Sequence, residues 1–260
     1  MSHHIVEAVD LRYTYPDGTI GLDGISFRIV HGESVAIVGE NGAGKSTLLL
    51  HLNGCLSAAK GSVRIGEHEI TKKNINAVRR SVGMVFQNPD DQLFMPTVFD
   101  DVAFGPLNLG YTKEEAEAKV KEALQTVQMR HVSGRPPYKL SQGEKRSVAI
   151  AAVLAMSPDI LVMDEPSSSL DPLSRRELIN LLNQFQHTKI IATHDLDMVM
   201  EVCRRTIVLH KGKITADGPT KDILRDQDLL HRSKLEEPLS MRACPACGVS
   251  KNSKDSRTSA

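Results

Sequence analysis

Short apolar runs alternate with longer, mixed segments through most of this chain. Apolar runs bounded by glycine or polar residues are typical of buried strands. They occur at Ser34–Val38, Val82–Phe86, Ile160–Met163 and Lys189–Thr193. Apolar residues at helical spacing follow Lys45, and Lys113–Val127 has the polar, alanine-rich composition of a surface helix. This alternation predicts an α/β domain.

Other segments predict antiparallel strand pairs. Val6–Ile29 contains two strands joined through the turn sequence Pro16-Asp17-Gly18. A second hairpin is predicted for Ser62–Ile70, and a third over Thr206–Asp217, with its turn at Lys211-Gly212.

A phosphate-binding loop is predicted between the strand Ser34–Val38 and the helix that follows it. Residues Gly39–Thr47 have the sequence GENGAGKST, which matches G-x-x-x-x-G-K-[ST]. Its glycines allow a tight turn with the backbone N–H groups directed at phosphate. We expect Lys45 to reach the β- and γ-phosphates and the Ser46 hydroxyl to bind Mg²⁺. The nucleotide-binding residues predicted here are Gly39, Asn41, Gly42, Ala43, Gly44, Lys45, Ser46 and Thr47.

Two carboxylates follow the strand Ile160–Met163, at the strand end where open α/β sheets bind ligands. We expect Asp164 to hold Mg²⁺ through water and Glu165 to polarise the attacking water. His194 stands at the end of Lys189–Thr193, where its ring can donate a hydrogen bond to the γ-phosphate. The sequence therefore predicts an ATP-hydrolysing site at one edge of the sheet.

The composition limits the kinds of molecule to which the chain is expected to bind. The chain has 32 basic and 32 acidic residues and a formal net charge of +0, which gives no general affinity for nucleic acid or anionic membrane. No run is long and apolar enough to span a bilayer, and the N-terminus lacks a signal segment. A role at a membrane therefore requires partner subunits.

In this order the motifs resemble the ATP-binding subunit of ATP-binding cassette (ABC) transporters, over about Val6 to Gly218. The resemblance implies a P-loop NTPase cassette with a mixed core sheet, an antiparallel β subdomain and a helical subdomain over about 88–157. It implies an ATPase domain over 1–231, with ATP and Mg²⁺ as its cofactors.

The resemblance also assigns roles to single residues. Gln87 matches the Q-loop glutamine, which touches Mg²⁺ and water, and Asp171 belongs to the D-loop. Tyr15 lies where the family keeps an aromatic residue that stacks on adenine, with Tyr13 as the weaker choice. His194 matches the switch histidine.

Leu140–Glu144 matches the signature motif, although Gln142 and Glu144 replace the commoner glycine and glutamine. In the family, Ser141 and Gly143 close over nucleotide held by the opposite subunit, which implies a second ATPase chain. Ser141 followed three residues later by Glu144 is also typical of an ordinary capped helix. The two interpretations are compatible.

Gln87–Phe94 and Thr97–Pro106 resemble the ATPases of energy-coupling-factor importers, closest to the cobalt and nickel branch, and Thr193–Asp197 agrees. The resemblance implies a transmembrane coupling subunit, a substrate-binding membrane subunit that sets specificity, and a peripheral location at the cytoplasmic face of the membrane. Five apolar residues beside the Q-loop could fill the helical subdomain or receive a coupling helix. They are Leu93, Phe94, Val98, Phe99 and Phe104.

Two alternatives share the ATPase mechanism. The same subunit could power a vitamin importer. A soluble ABC ATPase acting on nucleic acid or ribosomes is the alternative from another class, but such proteins carry long coiled-coil insertions or two cassettes, and this chain has neither.

From about Arg232 the periodic pattern ends, and we predict a flexible tail over 232–260. Cys244 and Cys247 in this tail have the spacing of half a zinc knuckle. Two reduced thiols in a disordered segment are the alternative.

Overall fold

A computed structural model describes residues 4–242 of the chain. The strands are β1 (His4–Thr14), β2 (Ile20–Val30), β3 (Ser34–Val38), β4 (Lys60–Ile65), β5 (His68–Glu69), β6 (Val82–Val85), β7 (Ile160–Asp164), β8 (Thr188–Ala192), β9 (Arg205–His210) and β10 (Lys213–Pro219). The α-helices are α1 (Lys45–Leu52), α2 (Ile75–Ser81), α3 (Val98–Asn108), α4 (Lys113–Thr126), α5 (Gln142–Leu154), α6 (Pro172–Gln184), α7 (Leu196–Val202), α8 (Thr220–Ile223) and α9 (Gln227–Arg232).

The main sheet has the strand order β10-β9-β3-β8-β7-β6. Strands β9, β3, β8, β7 and β6 pair in parallel, and β10 pairs antiparallel with β9. Every residue of β3, β7 and β8 is buried, which explains why these strands are continuous apolar runs. Their carboxyl ends lie at one edge, so the segments that follow them meet there.

The second sheet has the order β2-β1-β4-β5 and is antiparallel throughout. The predicted early strand pair and the hairpin near Gly66 are both confirmed. Apolar residues of β1 and β2 share a core with α1 and with one face of the main sheet. This packing brings the turn after Thr14 close to the beginning of α1.

Helices α3, α4 and α5 form a layer on the other face of the main sheet. They pack there through apolar residues such as Val102, Val120 and Val148. The predicted helix over Lys113–Val127 is confirmed and begins at the capping box of Thr112 and Glu115. The mixed sheet, the antiparallel sheet and these helices confirm the predicted α/β cassette fold. Within residues 4–242, no helix combines the length and the apolar character needed to cross a bilayer.

The predicted start of the tail at Arg232 is too early. Ser233 is buried, Leu235 and Met241 pack against the main core, and the backbone N–H groups of Leu239 and Ser240 donate to Asp197. These isolated apolar residues hold the segment after α9 against the core, but they do not recur at the regular spacing of a helix or a strand. Cys244 and Cys247 lie outside the described residues.

Candidate functional site

The loop after β3 can form only because glycine occupies its tightest positions. A Cβ atom on Gly39 would lie 2.3 Å from the carbonyl oxygen of Leu209, which is far inside contact distance. Gly44, immediately before α1, has φ 104, and a Cβ there would lie 2.5 Å from the carbonyl oxygen of Gly21. The loop is thus held between the two sheets, with α1 beginning at its end.

Lys45 is buried at the first position of α1. Its Nζ donates to the carbonyl oxygens of Gly39 at 2.9 Å and Glu40 at 3.2 Å. The same nitrogen lies 3.8 Å from Oε1 of Glu165. A fixed cation therefore lies between the loop and the carboxylates that end β7.

An open cavity lies beside this cation. Most predicted nucleotide-binding residues line it, together with a short segment at the start of β2. The lining residues are Tyr15, Thr19, Ile20, Gly21, Asn41, Gly42, Gly44, Lys45, Ser46, Thr47, Gln87 and Glu165. Gly39 and Ala43 belong to the same loop but do not line the cavity, and Ala43 is buried.

The Tyr15 ring stands at the rim of the cavity. Its hydroxyl hydrogen-bonds Thr47 Oγ1 at 2.8 Å, and its ring meets Tyr13 edge to face at 5.0 Å. Tyr13 packs edge to face on buried His51 at 4.9 Å, so it faces the interior. Of the two aromatic residues, Tyr15 has the ring that can stack on a base.

Glu165 follows β7 in a left-handed conformation, with φ 45, which is uncommon for a residue with a side chain. Its Oε2 accepts hydrogen bonds from Thr193 Oγ1 at 3.0 Å, from His194 N at 3.2 Å and from His194 Nδ1 at 2.8 Å. The His194 side chain is 66% exposed. The carboxylate is therefore fixed, and the imidazole that holds it remains exposed at the edge of the sheet, outside the lining of the cavity.

Asp164 ends β7 and is buried, and the nearby Ser46 hydroxyl favours its charged form. Burial raises its pKa, and the neighbouring charge of Glu165 adds to that effect. Among the described residues, its Oδ1 has no hydrogen-bond partner. Asp164 itself does not line the cavity, but Ser46, Glu165 and the exposed Gln87 amide do, and the orphaned oxygen behind them fits a Mg²⁺ ion bound partly through water.

Ser141, Gly143 and Asp171 lie outside this cavity. Ser141 caps α5 in a reciprocal capping box with Glu144, as the sequence predicts. Asp171 caps α6, accepting from the N–H groups of Leu173 and Ser174. The two caps are neighbours, since a Cβ on Gly143 would lie 3.3 Å from Ser174 Oγ. One chain therefore brings these residues together on a separate surface.

Sequence reasoning missed Arg146, which is buried in α5. Its guanidinium donates to the carbonyl oxygens of Phe86, at 2.6 Å, and Gln87, and lies 3.5 Å from Ser168 Oγ. Burial lowers its pKa, while Asp164 and Glu165 oppose that effect. The only signal in the sequence was a charged residue among the apolar positions of α5. Arg146 fixes the Q-loop to α5, the helix that begins at the signature motif.

Comparison with known proteins gives a consistent result. The family model described as "ABC transporter" matches residues 22–168. A putative ABC transporter ATP-binding protein of Geobacter sulfurreducens is 64% identical and aligns over 95% of this chain and 100% of its own length. The energy-coupling factor transporter ATP-binding protein EcfA of Methanocaldococcus jannaschii is 48% identical over 90% of this chain and 86% of its own.

Solved structures agree with these relatives. The structure of cbiO1 from Clostridium perfringens, described as part of the ABC transporter complex cbiONQ, has a TM-score of 0.77 and 38% identity and covers 88% of this chain and 94% of its own. A dimeric ATP-binding cassette in a post-hydrolysis state, bound to ADP and Pi, has a TM-score of 0.76 and 26% identity and covers 83% of this chain and 99% of its own.

Proposed function

This chain belongs to the ABC transporter family as an ATP-hydrolysing subunit, and we propose that it powers an energy-coupling-factor importer for cobalt or nickel ions from the cytoplasmic face of the membrane. The observation that carries the proposal is the set Lys45, Glu165 and His194. These residues follow neighbouring parallel strands, and Glu165 contacts both of the others beside the nucleotide cavity. The likeness to EcfA and cbiO1 supports the transporter class.

The residues around the cavity divide the work of hydrolysis. Tyr15 stacks on the base, and the glycine loop and Lys45 hold the phosphates. Glu165 orients and polarises the attacking water, and His194 holds Glu165 and contacts the γ-phosphate. Ser46, Gln87 and Asp164 are the residues that would hold Mg²⁺, which when bound neutralises charge on the phosphates.

A second copy of the chain completes the site. Ser141 and Gly143 present the N-terminus of α5 outward, with N–H groups suited to the γ-phosphate of nucleotide bound by the other subunit. Asp171 lies beside them on α6. Two chains would bind two nucleotides between them, close, hydrolyse and reopen.

A groove between the main sheet and the helical subdomain would receive the transmembrane coupling subunit. The structure separates the apolar residues beside the Q-loop into a buried group and an exposed group. Leu93, Val98 and Phe99 pack into the core. Phe94 and Phe104 are 64% and 44% exposed and meet edge to face at 5.0 Å. An exposed aromatic pair beside the Q-loop fits the apolar side of a coupling helix.

Transport by the whole complex tests the proposal. Cells that carry this chain with its membrane partners should accumulate Co²⁺ or Ni²⁺, and Lys45→Ala should abolish the uptake, since nucleotide would no longer be held. The phenylalanine pair gives a second arm, in which Phe94→Asp with Phe104→Asp should lower uptake while the isolated chain still hydrolyses ATP. Accumulation of a vitamin instead of a metal ion would overturn the substrate and leave the ATPase assignment standing.

A further inference from the structure

We propose that Arg175 is a positioning residue for ATP hydrolysis, because its ion pair with Asp195 fixes the segment that carries His194. The inference deepens the proposed roles of Glu165 and His194 and rests on them. It concerns a contact between α6 and the beginning of α7, outside the nucleotide cavity.

The ion pair is bidentate. Arg175 Nε donates to Asp195 Oδ2 at 2.6 Å, and Arg175 Nη2 donates to Asp195 Oδ1 at 2.7 Å. The two side chains are 26% and 17% exposed, so the pair is largely shielded from water. Paired forks of this kind fix geometry more strictly than a single contact.

Asp195 has further contacts that hold it in place. Its Oδ1 accepts from Met198 N at 2.9 Å and so caps α7. Burial alone would raise the pKa of Asp195, but the hydrogen bonds from Arg175 and Met198 N bring it below the ordinary value. The carboxylate is therefore ionised and bound on several sides.

A direct path leads from Asp195 to the hydrolysis site. Its backbone N–H donates to Thr193 Oγ1 at 3.0 Å, and that hydroxyl donates to Glu165 Oε2 at 3.0 Å. His194, between them in sequence, donates to the same carboxylate oxygen. A shift of Asp195 would move every donor that orients this oxygen.

The other end of the pair leads to the outward surface. Arg175 lies in the first turn of α6, and its N–H donates to the carbonyl oxygen of Asp171 at 2.9 Å. Asp171 and Gly143 lie on the surface where the second copy is proposed to close. Arg175 is thus placed to couple closure by the second chain to the orientation of Glu165.

The neighbouring residue provides a matched control. Arg176 pairs with Glu201, so it joins the same two helices, but at the far end of α7. Its pair is 49% and 39% exposed and does not contact the segment around His194. Exposed pairs of this kind contribute little to stability.

The experiment compares Arg175→Ala with Arg176→Ala in the purified full chain, measuring kcat and KM for Mg·ATP and the affinity for a non-hydrolysable ATP analogue. We expect Arg175→Ala to lower kcat by roughly 10-fold to 100-fold, because small misplacements of a catalytic group are costly. KM and analogue affinity should change by less than about twofold, and Arg176→Ala should resemble the unchanged chain. Arg175→Lys, which keeps the charge but not the fork, should restore part of the loss.

Equal losses in the two alanine variants would overturn the proposal, as would a loss confined to KM. Asp195→Asn provides a second test if Arg175→Ala fails to fold, since it keeps the acceptor for Met198 N and weakens only the ion pair; unchanged kcat in that variant would also overturn it. Measuring Glu165→Gln alongside distinguishes a failure of the role proposed for Arg175 from a failure of the role proposed for Glu165. Normal turnover there would refute the proposed role of Glu165, whatever Arg175 does.

Discussion

The nucleotide cavity and the outward surfaces of the helical subdomain differ in how far one chain completes them. At the cavity, Glu165 lies 3.8 Å from the Lys45 nitrogen and 2.8 Å from His194 Nδ1. On the helical subdomain, the cap of α5 at Ser141 faces outward, and the phenylalanine pair is exposed. Both regions belong to one compact fold, but the cation and the carboxylate of the first already contact each other within the chain, whereas the helix cap and the aromatic pair of the second face outward.

This difference indicates where other chains must act. A site whose catalytic carboxylate is already held by hydrogen bonds is preorganised and needs little rearrangement to bind nucleotide, and Asp164 Oδ1, unpartnered among the described residues, would accept Mg²⁺ there. The outward N-terminus of α5 and the exposed aromatic pair leave polar and apolar surface that another chain can cover. ATP binding is therefore expected to be a property of one chain, hydrolysis a property of two copies of it, and transport a property of the assembly with the membrane partners.

The largest effect should come from the inward-facing region. Glu165→Gln should leave ATP binding intact and slow hydrolysis by about 10²–10⁴, because a neutral amide cannot polarise the attacking water. The variant should accumulate as an ATP-bound dimer. Turnover and light-scattering mass measured with Mg·ATP check both outcomes.

Glu177→Gln is the control for this experiment, since Glu177 is an exposed carboxylate on α6 with no contact to the cavity. It should retain normal turnover. Normal turnover in Glu165→Gln as well would remove Glu165 from the proposed role, and would make the matched contacts around it structural only.

A mixing experiment tests whether the outward-facing cap belongs to a shared site. Ser141→Arg chains should bind nucleotide through their own Lys45 but close poorly around ATP held by the other chain. Mixed with Lys45→Ala chains, they form dimers with one doubly defective face and one intact face. At equal mixing, about a quarter of all sites should be intact, so hydrolysis should partly recover.

Each variant alone should be nearly inactive at the same total concentration. Recovery that rises and falls with the mixing ratio would support a site shared between chains. Absence of recovery at every ratio, with mixed dimers shown to form, would mean that one chain hydrolyses ATP without the cap of the other.

The same contrast explains what could be predicted from sequence. The cavity residues follow strand ends or belong to one continuous loop, so their order along the chain is enough to place them together. The hairpins were predictable for the same reason, because turn residues and strand patterns are local. The alternative for the five apolar residues beside the Q-loop stayed open, because a strongly apolar segment does not show which of its side chains face the core.

The contacts that connect these parts were not predictable. Arg146 reaches the Q-loop, and Arg175 reaches Asp195, across long stretches of sequence that only the fold brings together. Leu235 and Met241 attach the segment after α9 through isolated apolar contacts that give no periodic pattern. Pairings between distant residues leave no local signal, which is why the predicted tail began too early.

The smallest predicted effect concerns a buried carboxyl group in the groove that the exposed phenylalanine pair lines. Asp101 in α3 accepts from the N–H groups of Phe94 and Met95 through Oδ1, while Oδ2 is buried with no partner among the described residues. Burial raises its pKa, with repulsion from Asp100 adding to it. Asp101→Asn keeps the acceptor and removes the buried charge, so it should raise the free energy of unfolding of the isolated chain by on the order of 1 kcal/mol at neutral pH.

The stabilisation expected from Asp101→Asn depends on pH in a definite direction. A raised folded pKa means that the folded state binds the proton more tightly, so the contribution of Asp101 to stability is present at low pH and lost as the pH rises through the folded pKa. The gain from Asp101→Asn should therefore be greatest near neutral pH and shrink as the pH falls towards the ordinary value of 3.8. Urea unfolding of the two proteins at several pH values measures it, with exposed Asp91→Asn in the same groove as the control. A gain that is independent of pH, or equal in the control, would show that the buried charge of Asp101 does not destabilise the isolated chain.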